Sequence, residues 1–202
     1  MLKKKLGKDF YLRPDVVEIS RELIGKYLFT NVNGIFTGGI IVETEAYSGR
    51  NDRACHAHLN RRTRRTEVMY KDGGLAYVYL CYGIHYLFNI ITNVEGLADA
   101  VLVRAIEPVE GIDHMKERRI FFKNDPALSA GPGVVSKALG INKNHYGQSL
   151  LGEIIWVEDR GYKVDDEMIQ ASPRVGVAYA GEDALLPWRF RLKNNRWTSK
   201  AK

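Results

Sequence analysis

The sequence contains little cysteine and has no apolar run long enough to cross a membrane. Only Cys55 and Cys81 occur among its 202 residues, which argues against a disulfide framework and favours a reducing compartment. The most apolar stretch, residues 77–91, is interrupted by polar residues and is shorter than the roughly 20 residues that a spanning helix requires. The basic start, MLKKKLGKDFYL, is not followed by an apolar signal segment. We therefore expect a protein that is not secreted and does not enter a membrane.

Basic residues outnumber acidic residues. The chain has 30 lysines and arginines against 24 aspartates and glutamates, a net charge of +6, which favours a polyanionic partner without identifying one. No repeat, low-complexity segment or change in composition divides the chain. We therefore predict one domain over residues 1–202, with flexible ends at 1–6 and 198–202.

Apolar periodicity predicts only a few helices. One is expected over residues 13–29, where Pro14 suits the first helical turn. A second is expected over residues 108–121, again opened by proline. A third is expected in GPGVVSKALGI, residues 131–141, whose first amides could hold a phosphate. The polar, arginine-rich residues 48–74 predict a loop with short helical turns.

Turn signals between strand-forming residues predict two β-hairpins. Asn33-Gly34 marks the first turn, and Gly38-Gly39 marks a bulge in the strand that follows. Gly83 marks the bend of the second hairpin. Further strands are expected at ADAVLVRAI, EIIWVE, RVGVAYA and RFRL. Because few helices separate these strands, we predict an α+β domain with a mainly antiparallel or mixed sheet.

Charged residues within two of these strands are candidates for catalysis. In IIVETEAYSG, a period of two places Glu43, Glu45 and Tyr47 on one face, either as an active-site wall or as exposed charges on a sheet. Arg104 lies inside the apolar strand VLVRAIEP, so it must reach an anion or water. It forms either a structural salt bridge or the group that fixes and ionises a catalytic carboxylate.

Metal-ligating residue types are present without a recognised metal-binding spacing. They are Cys55, His56, His58, Cys81 and His85. Because this spacing is not that of a standard structural zinc site, we predict no metal. A zinc-dependent hydrolase that uses Cys55, His56 and His58 is kept as the least favoured functional hypothesis.

The densest cationic segment is RRTRR. Its arginines, Arg61, Arg62, Arg64 and Arg65, either form a solvated loop or contact phosphates, and the net positive charge favours contact.

Several motifs occur in a characteristic order: GIIVETEAYSG, DRACHAH, TRRTEVMY, YVYLCYGIHYLFNI, VLVRAIEPVEG, GPG with ALGI, and PRVGVAYAGE. In this order they resemble the alkyladenine DNA glycosylase family, also called 3-methyladenine or methylpurine DNA glycosylases. The resemblance extends over residues 7–191. It implies a single α+β domain with a curved, open-barrel-like sheet, flanking helices and a protruding hairpin. It also implies base flipping and excision of 3-methyladenine and 7-methylguanine, with hypoxanthine and ethenoadenine as further candidates.

The resemblance assigns three catalytic contacts. Glu45 is expected to activate a water molecule, Arg104 to lie beside that water, and the backbone carbonyl of Val175 to make a third contact. No lysine lies in the motifs as an amine nucleophile, so we expect attack by water and an abasic product. Neither a metal nor an organic cofactor is expected.

The resemblance also assigns a base pocket and a plug. Tyr47, His56 and Tyr79 are expected to sandwich the flipped base, and Asn89 to disfavour the exocyclic amino group of guanine. Tyr82, beside the hairpin bend, is expected to fill the gap left in the duplex, because an extruded base leaves a hole in the stack.

Contacts to the DNA backbone are expected from the four arginines of RRTRR and from Gly131 and Gly133. Thr66 departs from the family pattern, in which asparagine is common, and Val134 departs where lysine is common. These departures bear on loop packing and on one phosphate contact rather than on catalysis.

The expected partner is double-stranded DNA containing damaged purines, bound by a monomer in the bacterial cytoplasm or nucleoid, or in a eukaryotic nucleus. The alternative from a different class is a non-catalytic, basic nucleic-acid-binding domain.

Overall fold

A computed structural model describes residues 4–120 and 125–200. The strands are β1 (Lys4–Lys5), β2 (Tyr27–Val32), β3 (Ile35–Tyr47), β4 (Ala76–Cys81), β5 (His85–Thr92), β6 (Asp99–Glu110), β7 (Ile155–Asp159), β8 (Ile169–Ser172) and β9 (Arg189–Leu192). The α-helices are α1 (Lys8–Tyr11), α2 (Val16–Glu22), α3 (Ile112–Arg119) and α4 (Pro132–Leu139). Short 3-10 helices lie at His58–Asn60, Glu67–Tyr70, Pro126–Leu128, Lys143–His145, Asp166–Met168 and Ala178–Leu185.

The strands of the described ranges form one open sheet, and every pair of neighbours is antiparallel. The main order is β1-β7-β2-β3-β6-β5-β4, and β9 pairs with β3 while β8 pairs with β9. The predicted α+β class with a mainly antiparallel sheet is therefore confirmed.

The two long central strands, β3 and β6, pair with three shifts of register. The first is a register shift between Gly38 and Gly39, which confirms the predicted bulge. A Cβ on Gly39 would lie 2.5 Å from the carbonyl oxygen of Glu107, so only glycine fits this close approach. The other two lie on either side of Glu43, between Ile41 and Glu43 and between Glu43 and Thr44.

Both predicted hairpins are present. Asn33 and Gly34 have φ values of 55° and 77°, as the turn between β2 and β3 requires. The bend between β4 and β5 contains Tyr82 and Gly83, with φ values of 49° and 72°. A bulky residue rarely adopts a positive φ, so the conformation of Tyr82 is a candidate functional feature.

The helix predicted over residues 13–29 is shorter in the structure. It begins after Asp15, whose side chain accepts hydrogen bonds from the backbone of Val17 and Glu18, and it ends at Glu22. Pro14 therefore precedes the cap, and Tyr27 already belongs to β2. The prediction was wrong beyond Glu22, because strand-forming residues there pair with two neighbouring strands.

Two further predictions from local pattern were wrong. Pro108 does not open a helix but continues β6, opposite the bulge at Gly39, where proline is tolerated. The helix begins only at Ile112, and residue 121 lies outside the described residues. The expected strand RVGVAYA is instead a bend followed by the 3-10 helix from Ala178, since Gly176 at φ 74° interrupts the extended backbone.

The two faces of β4, β5 and β6 serve different purposes. One face buries Val78, Phe88, Ile90, Val101 and Val103 in the main core, against which the helices pack. The opposite face carries the rings and polar residues of the candidate site and is bordered by the loop that follows β3.

Both chain ends are packed where the structure describes them. Lys4–Lys5 pairs with β7, and Ser199 is buried. Among the described residues, no helix combines the length and the apolar character needed to span a bilayer.

Candidate active site

Residues of the candidate site lie side by side across four neighbouring strands, β3, β6, β5 and β4. Glu45 on β3 lies opposite Leu102 on β6. Leu102 lies opposite Asn89 on β5, and Asn89 lies opposite Tyr77 on β4. Because alternate residues share a face, Arg104 and Tyr79 project from the same side of the sheet.

Three donors hold the carboxylate of Glu45. The hydroxyl of Tyr47 donates to Oε2 at 2.7 Å, and the backbone N–H of Val175 donates to Oε1 at 2.8 Å. Arg104 Nη1 lies 3.2 Å from the same Oε1. A carboxylate has about four acceptor positions, so roughly one remains available for a water molecule.

Arg104 links Glu45 to a second buried carboxylate. Its Nε donates to Glu43 Oε1 at 2.8 Å, and Arg189 Nε donates to the same oxygen at 2.8 Å. Burial disfavours the charged guanidinium, but Glu45 and Glu43 outweigh burial and raise the pKa of Arg104. Arg104 therefore forms the expected structural salt bridge and also contacts Glu45, and its part in catalysis stays a prediction.

A cavity of about 680 Å³ opens on this face of the sheet. The expected pocket residues all line it: Tyr47, His56, Tyr79, Asn89, Arg104 and Val175. Glu45 is fully buried and lies behind the cavity wall. The three residues that donate to its carboxylate, Tyr47, Arg104 and Val175, all line this wall. Asn89 Nδ2 donates to the carbonyl oxygen of Tyr77 at 3.1 Å, which fixes the orientation of this amide.

His56 lies between two tyrosines and an arginine. Its Nδ1 lies 2.9 Å from the hydroxyl of Tyr77, and its Nε2 lies 3.3 Å from Arg65 Nη2. An arginine only donates, so Nε2 is the acceptor and Nδ1 carries the ring proton. Burial, with smaller contributions from Arg65 and Arg61, lowers the pKa of His56 to about 4. The imidazole is therefore neutral at physiological pH.

The hairpin bend projects two large apolar side chains into solvent. Tyr82 is 90% exposed and Ile84 is 73% exposed, so both side chains are accessible from solvent. Tyr82 also borders the cavity. The expected plug is thus available for contact with a partner and lies at the rim of the expected pocket.

The four arginines of RRTRR have different environments. Arg62 pairs with Glu67 at 3.2 Å and lies over the ring of Tyr70. Arg65 borders the cavity. The Thr66 hydroxyl is buried under this loop and donates to the carbonyl oxygen of Arg61 at 2.8 Å. Threonine therefore holds the loop at the position where the family pattern has asparagine.

Gly131 and Gly133 lie in the cavity wall at the start of α4. The Gly131 N–H donates to the carbonyl oxygen of Arg104 at 2.9 Å, so this amide is already used within the protein. A Cβ on Gly133 would lie 2.7 Å from the side chain of His85. Gly133 therefore allows α4 to approach the hairpin, and contact of the two glycines with a phosphate stays a prediction.

The residue types that zinc accepts are not gathered into a metal site. Over residues 4–120 and 125–200, no group of three histidine, cysteine or acidic side chains is arranged to hold an ion. Burial raises the pKa of the Cys55 thiol to about 12, which disfavours the thiolate that a metal requires.

Sequence reasoning missed a buried ion pair behind the pocket. Arg174 Nη2 donates to Asp52 Oδ1 at 2.8 Å, and both side chains are fully buried. The guanidinium lies 4.8 Å from the centre of the Tyr47 ring, and the next residue, Val175, donates to Glu45. The only signal in the sequence was that Arg174 directly precedes Val175, the residue that the family resemblance assigned to the catalytic site.

Comparison with known proteins identifies the family. Residues 9–196 match the family model described as methylpurine-DNA glycosylase. The chain belongs to this family.

Relatives that match more than nine-tenths of the chain carry the name "putative 3-methyladenine DNA glycosylase". The Chlamydia felis protein is 45% identical over 93% of this chain and 95% of its own length. The Chlorobaculum parvum protein is 46% identical over 92% of this chain and 86% of its own length. The Clostridium perfringens protein is 42% identical over 97% of this chain and 99% of its own length.

Membership of the methylpurine-DNA glycosylase family makes this protein an enzyme that hydrolyses N-glycosyl bonds. The resemblance read from the motif order is thereby confirmed. The individual residue roles remain predictions, now supported by the contacts of Glu45 and by the cavity in front of it.

Proposed function

We propose that this glycosylase excises alkylated or deaminated purines from double-stranded DNA after rotating the damaged nucleotide out of the helix, giving an abasic site. The observation that carries the proposal is the Glu45 carboxylate, held by Tyr47, Arg104 and Val175 directly behind an aromatic-lined cavity. The name that the relatives carry supports 3-methyladenine as one substrate. The duplex hides the bond to be broken, so extrusion of the nucleotide must precede reaction.

Glu45 deprotonates water in this proposal. The acceptor position left free by its three donors takes a hydrogen of the water, and the water oxygen attacks C1′ as the bond to the base breaks. Burial, followed by the charge of Glu45, raises the pKa of Tyr47 well above its usual value. The phenol therefore stays protonated and remains a donor to the carboxylate. For a cationic purine, a single general base that orients the water suffices, because a positively charged nucleobase is a good leaving group.

A neutral purine needs help in leaving, and His56 is not suited to supply the proton. Its pKa of about 4 keeps the ring neutral, and its Nε2 faces a donor, Arg65. Water is therefore a better candidate than His56 for the donor that protonates a neutral base such as hypoxanthine as it leaves. Asn89 meets the base edge: with one amide hydrogen bound to Tyr77, the other would oppose the amino group of guanine.

Replacement of Tyr82 with alanine should weaken binding of lesion-containing duplex by about 10- to 100-fold, because base–aromatic stacking contributes about 1–3 kcal/mol. In the free protein the ring is 90% exposed, so its loss removes little intramolecular packing. Fluorescence of 2-aminopurine beside the lesion would report flipping, and anisotropy titration would report binding.

Ile84→Ala at the same hairpin bend is the matched control, since Ile84 is also large and exposed. We expect a smaller loss from that variant. Full retention of binding and flipping by Tyr82→Ala would contradict the plug.

The enzyme should form no covalent intermediate with DNA. No lysine occurs among the described residues that line the cavity, so no amine is placed to form a Schiff base. Borohydride added during turnover should therefore trap no protein–DNA adduct, while a bifunctional lyase assayed in parallel should give one. A trapped adduct would overturn attack by water.

The function itself is tested by incubating the protein with duplexes that each contain one lesion: 3-methyladenine, 7-methylguanine, hypoxanthine or ethenoadenine. Alkaline cleavage then reveals abasic sites. Excision of at least one lesion, with undamaged duplex left intact, is expected. Tight binding without any cleavage would favour the non-catalytic DNA-binding alternative.

A further inference from the structure

Each of the two tyrosine walls of the cavity carries a guanidinium group. Arg65 Cζ lies 4.5 Å from the centre of the Tyr79 ring, and Arg174 Cζ lies 4.8 Å from the centre of the Tyr47 ring. The negative π face of an aromatic ring attracts cations. Part of the attraction that these rings could offer to a cationic base is therefore already used by the protein.

The two arginines differ in how their charge is balanced. Arg174 is fully buried and makes two hydrogen bonds to Asp52, so this pair is neutral overall. Arg65 has no carboxylate within salt-bridge distance in the described part of the chain; its polar partner is the neutral ring of His56. The pocket wall therefore holds one uncompensated positive charge, on Arg65.

Substrates of such a pocket differ in charge. A purine alkylated at N7 is cationic, whereas hypoxanthine is neutral and presents acceptors at O6 and N7. A fixed cation beside Tyr79 repels the first kind of base, and its N–H groups can donate to the second. The same residue thus acts in opposite directions on the two substrate classes.

We propose that Arg65 determines specificity by shifting the preference of the pocket from cationic towards neutral purines. This inference rests on the proposed excision of damaged purines and concerns the same site. The sequence predicted that Arg65 contacts the DNA backbone, whereas this proposal has it act on the base in the pocket. The cavity wall, the Tyr79 ring and His56 are the contacts that carry this assignment.

The test is the ratio of single-turnover excision rates for 7-methylguanine and hypoxanthine in the same duplex. Arg65→Gln removes the charge but keeps a hydrogen-bond donor, and the exposure of the residue makes a folding defect unexpected. We expect the ratio to rise by about tenfold, the size of a Coulomb interaction weakened by solvent at a few ångströms. Lys163→Gln removes a positive charge from an exposed position that does not line the cavity; it is the control and should leave the ratio unchanged.

Other outcomes would overturn the proposal. A uniform loss on both lesions, with the slope of log binding constant against log salt reduced by about one, would identify Arg65 as a phosphate contact. An unchanged ratio without any loss would remove Arg65 from substrate recognition altogether. The proposed function fails separately, if the unmodified enzyme excises neither lesion.

Discussion

Replacing Glu45 with glutamine should lower the single-turnover excision rate by about 10²- to 10⁴-fold, the usual contribution of a general base. The amide cannot accept the proton of the attacking water. Its shape nevertheless fits the site: the amide oxygen can accept from Val175 and Arg104, and the amide nitrogen can donate to the hydroxyl of Tyr47, which rotates to accept. Binding of lesion-containing DNA should therefore change far less than the rate.

Glu153→Gln removes the same charge from an exposed position and is the matched control. It should leave the rate within error of the unmodified enzyme. If Glu45→Gln excised damaged bases at the normal rate, Glu45 would not be the base, and the buried network would serve the fold alone.

Local rules predicted part of the site, whereas His56, Asn89 and Val175 were assigned only by the family resemblance. The alternation within β3 places Glu45 and Tyr47 on one face, and the alternation within β4 does the same for Tyr77 and Tyr79. Gly83 between strand-forming residues fixed the hairpin and therefore the exposure of its bend. What these patterns do not contain is the register between strands that aligns Glu45 with Asn89 across Leu102.

Long-range contacts account for most of what sequence reasoning missed. Asp52 and Arg174 are 122 residues apart, and no local period relates them. The segment after Arg174 was predicted as a strand from its alternation, yet Gly176 turns it and brings the Val175 N–H onto Glu45. Arg65 looked like one of four equivalent arginines until its loop was placed against Tyr79. In each case a tertiary contact outweighed the local preference.

Replacing Glu43 with glutamine should destabilise the fold by about 3–5 kcal/mol, because removal of one partner leaves buried charge uncompensated. Glu43 is fully buried and accepts hydrogen bonds from Arg104 and Arg189 at 2.8 Å each, and from the Ser199 N–H at 2.6 Å. Without its charge, the buried guanidiniums of Arg104 and Arg189 both lose the carboxylate oxygen to which they donate. Urea unfolding at pH 7 would measure the loss in free energy of unfolding.

The matched control for this loss is Glu22→Gln. Glu22 also accepts two hydrogen bonds from an arginine, Arg13, but both side chains are partly exposed. An exposed pair contributes about 0–1 kcal/mol, so the control should lose at most that amount. Equal losses from the two variants would show that burial of the Glu43 network contributes nothing special to stability.

The destabilisation caused by Glu43→Gln should also become smaller as the pH falls. Burial alone would raise the pKa of Glu43, but Arg104, Arg189 and Ser199 outweigh it and hold the pKa below its usual value. The ionised side chain therefore stabilises the fold fully above the pKa of the unfolded chain, about 4.3, and this contribution is lost as pH falls through the lower folded pKa. Glutamine does not titrate, so the difference in unfolding free energy between the two proteins should shrink in acid. A difference that instead grew as the pH fell from 7 to about 4.3 would mean that the folded protein raises the pKa of Glu43, and the charge balance described around Arg104 would be wrong.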